Sequence, residues 1–391
     1  MKKNLSLSIL VSRTFEVVLY FIIILFSLRI FVYQTTINSD ITVHISIIDE
    51  FVKNSFYIPH PGFHLLSYFI SLLSGWPYTV VVPIIMASLV TIIIITTKNI
   101  ILWALPDFKY KIIYILAAVA LSFVTAIYLP WFNKSIYLGQ WGPNIWHSPT
   151  MFLVKPFALV SFWGMLVFIE KQDAENDYLI GIIASLLLLG STFTKPSFII
   201  AFMPALAIYL LAFRVWKLKL YLKVFLVLLP SILLLTYQFI ETYKLQNSAS
   251  YFHDKIIFTN FGVMKLYSTN IMISFVLAAA FPLSILFIKN KLILKNPYLL
   301  IAWLLVIVSF LQAGLLAEKY KFSQGAFIFG YIIALFILFV FSSIEYLSWY
   351  SKENRQSVRP IYIILAGIVG LLHLFSGIFY YVRLVNKLDW L

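Results

Sequence analysis

The sequence predicts an all-α polytopic integral membrane protein, and three observations carry that prediction. Of its 391 residues 62% are hydrophobic and only 11% are charged, well beyond the apolar share of a water-soluble domain. The mean hydropathy is +0.95. Apolar runs of about 20 residues, the length at which a helix crosses a bilayer core, recur along the chain. In lipid each such run must satisfy its own backbone hydrogen bonds, which a helix does.

Eleven spans are expected, near 14–34, 78–97, 112–130, 150–169, 178–193, 198–213, 221–240, 270–288, 297–317, 325–346 and 361–382. The first follows Met1-Lys2-Lys3 with no small-residue cleavage site, so it reads as an uncleaved span. The segment 62–74 is apolar but short, which suits an interfacial or re-entrant helix better than a crossing. Ser148-Pro149 resembles an N-cap followed by a first-turn proline, opening the fourth span. Thr194-Lys195-Pro196-Ser197 makes a tight turn between the fifth and sixth. No polar stretch is long enough for a separate core, so the chain reads as one integral domain, 1–391.

The net charge of +14 could suggest a nucleic-acid partner, but the cations sit in loops between spans. With eleven spans and the N-terminus inside, seventeen of the 29 Lys and Arg fall on the inner side and ten on the outer, although the outer segments are longer in total. That is the positive-inside pattern, and it argues for membrane lipid as the partner and against nucleic acid. Five of the six histidines then fall outside: His44, His60, His64, His147 and His253. Cysteine is absent, which excludes disulfide and thiolate chemistry.

One polar island follows the first span. Between positions 40 and 64 it gathers Asp40, His44, Asp49, Glu50, His60 and His64. A helix over 40–53 would place Ile41, Ile45, Ile48 and Val52 on one stripe, with Thr42, Ser46, Asp49 and Lys53 roughly opposite. Asp40 and His44 would share the boundary between the two faces, one turn apart. Asp40 would serve as catalyst, as the helix N-cap, or as both. Asp49 and Lys53 are spaced for an ordinary ion pair. The spacing Asp-x3-His…His-x3-His also permits a divalent metal, without specifying one. Lys155 lies inside a span, where an ionisable group is a functional candidate by default, and Lys195 lies at a span end. Both are also placed to snorkel to the surface. His147, beside Trp146, suits sugar contact or an interfacial belt. Glu318 with Lys319 and Lys321 reads as a solvated ion pair, and His373 as a hydrogen-bonded core histidine.

Asp40, Asp49-Glu50 and Pro59-His60-Pro61-Gly62-Phe63-His64 occur in the order expected of a GT-C glycosyltransferase, and the chain resembles that superfamily. Asn144-Ile145-Trp146-His147-Ser148-Pro149-Thr150, Lys155-Pro156 and Thr194-Lys195-Pro196-Ser197 resemble segments of membrane proteins of bacterial polysaccharide loci. Asp49-Glu50 lies further from the first span than the acidic pair of many members, so either Asp40 or Glu50 matches the family acid. The resemblance implies extracytoplasmic transfer of a sugar from a polyprenyl-phosphate carrier to a glycan or lipid acceptor at the cell membrane. Asp40 or Glu50 would be the base, assisted by His44, with His60, His64, His147, Lys155 and Lys195 binding substrate. Because a phosphate departs without needing a proton, one carboxylate suffices, and direct displacement inverts the anomeric centre. A polysaccharide polymerase, a lipid-linked sugar transporter or flippase, and a structural membrane partner are the competing readings.

Overall fold

The structure is a computed structural model, and it describes residues 2–54, 57–107, 111–133, 136, 140–171, 177–213, 217–245, 254–288, 295–350 and 358–386. His253 and the polar run 172–176 lie outside the described residues. The helices are α1 (Lys2–Gln34), α2 (Asp40–Asn54), α3 (Gly62–Ser74), α4 (Tyr78–Ala104), α5 (Ile112–Phe123), α6 (Pro149–Glu170), α7 (Asp177–Thr194), α8 (Ser197–Phe213), α9 (Leu218–Ile240), α10 (Gly262–Tyr267), α11 (Ile271–Ile288), α12 (Pro297–Leu315), α13 (Ile328–Ser348) and α14 (Pro360–Val385). Two three-residue strands, β1 (Ile256–Phe258) and β2 (Leu316–Glu318), pair antiparallel. Among the described residues eight helices are long and apolar enough to cross a membrane. The chain is therefore an all-α, multi-pass membrane protein. The segments expected as spans at 112–130, 178–193 and 198–213 are shorter apolar helices.

The helices alternate between two ends. Lys98 on α4 pairs with Glu16 on α1 at 2.7 Å, so these helices run antiparallel and the start of α4 lies beside the end of α1. The same logic puts α2, α3, the α7–α8 turn and the paired strands β1 and β2 at one end, here the capped end. Helix α3 stays there. Gly62 at its start abuts Thr194 at the end of α7, while Tyr78, just past its end, feels the charge of Asp49 on α2. It lies across the end of the bundle, as its short length suggested.

The main departure from expectation is α5. It stops at Phe123, and the chain continues without helical structure through residues 124–129, buried at 124–126 and partly covered at 127–129. Nothing in 112–129 breaks a helix by composition; tertiary partners do it. Asn144 donates from Nδ2 to the carbonyls of Leu121 and Val124, both at 2.8 Å. The Thr125 carbonyl accepts from Nδ1 of His373 at 2.6 Å, and the Tyr128 amide donates to Ser376 Oγ at 3.1 Å. The Ile127 amide reaches the Leu277 carbonyl at 2.9 Å. Non-helical backbone is tolerated at membrane depth only when protein supplies its partners, as here. His373 also accepts from the Phe281 amide at 3.2 Å, beside a kink at Ala279 in α11. It is the hydrogen-bonded core histidine the sequence suggested.

This close approach of the non-helical segment to α14 needs a glycine. A Cβ on Gly377 would lie 1.6 Å from the Phe123 carbonyl oxygen. We expect Gly377→Ala to destabilise the detergent-solubilised protein by about 1–3 kcal/mol, the usual cost of overpacking, read as a lower thermal unfolding temperature. Gly164→Ala, whose added carbon meets only Ala184 at 3.7 Å, should leave that temperature nearly unchanged.

Candidate functional site

Ser39, not Asp40, caps α2. The Thr42 amide donates to Ser39 Oγ at 3.4 Å, and the Ser39 amide donates back to Thr42 Oγ1 at 3.0 Å. This reciprocal pair satisfies the first turn and leaves the Asp40 carboxylate free for other partners. Ile41 and Ile48 are fully buried and Ile45 partly, while Val52 at the far end is half exposed. The amphipathic stripe thus holds over most of the helix. No ion pair forms between Asp49 and Lys53 among the described residues. Glu50 is exposed and accepts from its own neighbour Asn54 at 2.6 Å.

On the Asp40 side of α2 the polar residues converge. The Asp40 Oδ2 atom lies 3.9 Å from Nε2 of His147, whose side chain is 4% exposed against 42% for Asp40. His147 reaches this place on a loop, 140–148, that is buried throughout. Gln34, at the end of α1, donates to the Trp146 carbonyl at 3.0 Å and ties that loop to the first helix. Trp141 adopts a positive φ of 52° within it, a conformation that costs a bulky residue and persists only where surroundings enforce it. The Nδ1 atom of His147 faces the hydroxyl of Tyr380 on α14 at 3.1 Å. On the other side of Asp40, His44 Nδ1 pairs with His64 Nε2 at 2.9 Å.

Lys195 stands at the centre. Its side chain is buried; the ammonium donates to Thr150 Oγ1 at 3.1 Å and lies 3.7 Å from the centre of the Phe329 ring. Burial brings its pKa down to about 8, against the pull of Asp40 and Glu318. Asp40 is raised from its ordinary value by burial, with Lys195 opposing. His44 is held well down by burial and then by His64, Lys195 and His60. His64 falls to about 4 through burial and Lys195, against the His60 backbone, and His147 to about 3 through burial. His60, partly covered, is lowered by burial, Lys195, His64 and Lys321. The site therefore brings the Asp40 and Glu318 carboxyl groups to one buried ammonium, with four imidazoles that are neutral at neutral pH.

Lys155 is also buried, and it stands apart from this group. Its ammonium donates to Asn144 Oδ1 at 2.6 Å and lies 4.9 Å from the Phe336 ring centre. Phe329 and Phe336 are seven residues apart on α13, so the two lysines face one stripe of that helix at heights about 10 Å apart. Neither snorkels. Glu318 makes no ion pair with Lys319 or Lys321 among the described residues; it accepts from Tyr243 at 2.6 Å and adds its charge near Lys195. Tyr380 is the member of the site that sequence reasoning missed, and Glu318, read there as half of a solvated ion pair, is the one it misassigned. Both come from distant segments. No three His, Asp or Glu side chains among the described residues are arranged to hold a metal ion. No protein-family model matches the chain, and no curated protein compared with it does either.

The neutral imidazoles make the capped end acid-sensitive. The pKa of His64 is about 4 in the folded protein, against 6.5 for an unperturbed histidine. The unfolded chain therefore binds more protons between those values, so stability is fully present above pH 6.5 and is lost as pH falls toward 4. Thermal unfolding temperature should drop between pH 7 and pH 4.5. His64→Gln, which keeps a hydrogen-bonding group beside His44 but does not titrate, should flatten that dependence.

Proposed function

We propose that this chain is an extracytoplasmic membrane glycosyltransferase of the GT-C kind, inverting, with Asp40 as general base. The observation that supports it best is the half-exposed Asp40 carboxylate next to neutral His147 at 3.9 Å, within the field of the buried Lys195 ammonium. In this reading a polyprenyl-phosphate sugar arrives from the lipid side and a glycan or lipid hydroxyl from the aqueous side. The hydroxyl oxygen attacks the anomeric carbon from the face opposite the phosphate. The bond from that carbon to the phosphate oxygen breaks, the electron pair leaves with the phosphate, and Asp40 takes the hydroxyl proton. Lys195 offsets the charge on the departing phosphate. His60 and His64 border the donor, and Lys155, through Asn144, holds the loop that carries His147. The chain crosses the cell membrane eleven times, with the capped end outside. Three of those crossings are the shorter apolar segments, and the third crossing is completed by the non-helical stretch after α5.

Asp40→Asn should lower transfer about 10²–10⁴-fold, the usual cost of losing a general base, with expression and insertion intact. Glu50→Gln should stay close to wild type. Assay of purified variants with a polyprenyl-phosphate sugar decides it: a fully active Asp40→Asn overturns the assignment.

Lys195 supplies a second, pH-resolved test. Donor binding should weaken as pH rises through about 8, where Lys195 loses its proton. Lys195→Arg should move that alkaline limb upward, and Lys195→Met should raise the donor KM about 10–100-fold, the worth of one charge-assisted hydrogen bond.

Sidedness is tested with single cysteines, since the chain has none of its own. Ser74→Cys and Ser323→Cys, both exposed at the capped end, should react with an impermeant thiol reagent on intact cells. Asp107→Cys, exposed at the opposite end, should react only after permeabilisation. The reverse pattern would put the site inside.

A further inference from the structure

Asp40, His147 and Tyr380 form a chain of three groups from three separate parts of the fold. Asp40 opens α2, His147 sits on the buried loop, and Tyr380 lies near the end of α14. The Tyr380 hydroxyl is 3.1 Å from His147 Nδ1, and His147 Nε2 is 3.9 Å from Asp40 Oδ2. Tyr380 is 1% exposed, so its hydroxyl has little access to water.

We propose that Tyr380 is a positioning residue, whose hydroxyl donates to His147 Nδ1 and so fixes the tautomer that turns Nε2–H toward Asp40, keeping that carboxylate charged and oriented. The argument is one of donors and acceptors. A neutral imidazole carries one proton, and whichever nitrogen accepts from a neighbour leaves the proton on the other. With the phenol donating to Nδ1, the N–H faces the carboxylate. In the other tautomer the Nε2 lone pair would face it, opposing the ionised form. At 3.9 Å the Nε2···Oδ2 contact is longer than a hydrogen bond. Asp40 is half exposed and free to close it by a small rotation. The other groups facing Asp40 are Lys195, from the α7–α8 turn, which favours the carboxylate, and His44, one turn along α2. Neither depends on Tyr380.

The proposal deepens the glycosyltransferase reading and rests on it for the meaning of the carboxylate, but its first test does not use transfer. A water-soluble carbodiimide with an amine nucleophile modifies the protonated carboxyl group. The pH midpoint of Asp40 modification can therefore be read by peptide mass analysis on the full-length protein in detergent, with Asp40→Asn as the blank. Tyr380→Phe should raise that midpoint by about one pH unit. It should move the acid limb of transfer by the same amount, lowering kcat near that limb and leaving the donor KM unchanged. His147→Phe should raise the midpoint equally without touching α14. In the Tyr380→Phe background, His147→Gln, whose amide donates whatever Tyr380 does, should bring it back toward wild type.

An unchanged midpoint in Tyr380→Phe, with or without a lower unfolding temperature, means that the phenol only packs, and the proposal falls. If Tyr380→Phe fails to fold, an unchanged midpoint in His147→Phe overturns it just as well. A raised midpoint alongside full transfer by Asp40→Asn has a different meaning. The three-residue chain then stands, and it is the glycosyltransferase reading that fails.

Discussion

A helix that ends inside a bundle leaves its last carbonyls without partners, and the capped end of this protein is organised around one such stop. At Phe123 the chain leaves α5, and residues 124–126 run on buried and non-helical. Asn144, His373 and Ser376 supply the missing partners. Asn144 meets them from the loop that carries His147, so satisfying the helix end and placing the imidazole beside Asp40 are one act. Lys155 completes the arrangement by donating to the same amide. A cation relayed to a helix C-terminus is favourably placed, because that end carries partial negative charge. The lysine inside the span is thus accounted for by the backbone break it supports.

Electrostatics at the site follow from one buried ammonium. Lys195 is covered by protein yet lies in the field of Asp40 and Glu318, which offset the cost of burying it. Adding a second cation there would be expensive, and the imidazoles avoid it by staying neutral. His44 and His64 share a hydrogen bond that two imidazolium ions could not make. The same arrangement leaves Asp40 as the charged group open to solvent. Half exposure matters here: a fully buried carboxyl group would be driven toward its neutral form.

Much of this was legible in the sequence because it rests on local patterns. The stripe of Ile41, Ile45 and Ile48 fixed the face of α2. Ser148-Pro149 opened α6, and 62–74 forms one short apolar helix, as its length suggested. Asp40, His44, His60, His64, His147 and Lys195 do gather at one end, as their positions beside span ends suggested. What stayed hidden depends on partners far along the chain. Residues 112–129 are mostly apolar, and hydropathy cannot tell a buried helix from a buried non-helical segment when the partners lie on α11, α14 and a later loop. Tyr380 lies 233 residues from His147, and nothing in the sequence of α14 ties its hydroxyl to that distant loop. Glu318 looked like a solvated charge because its neighbours are Lys319 and Lys321. Its real partner, Tyr243, comes from the end of α9.

The capped end also explains why the first loop and the last helix both belong to the site. Gln34 and Ser39 fasten the start of the loop to α1 and to the Trp146 carbonyl, while Tyr381 donates from α14 to the Phe26 carbonyl at 2.7 Å. The first and last long helices are therefore joined beside Asp40, with the buried loop between them. Any shift of α14 against α1 is felt at His147 before it is felt at Asp40, because Tyr380 holds the ring and nothing on α14 is bonded to the carboxylate. Geometry at the carboxylate is thereby set by the packing of long helices, the stiffest elements available, although the carboxylate itself stands at the edge of the fold.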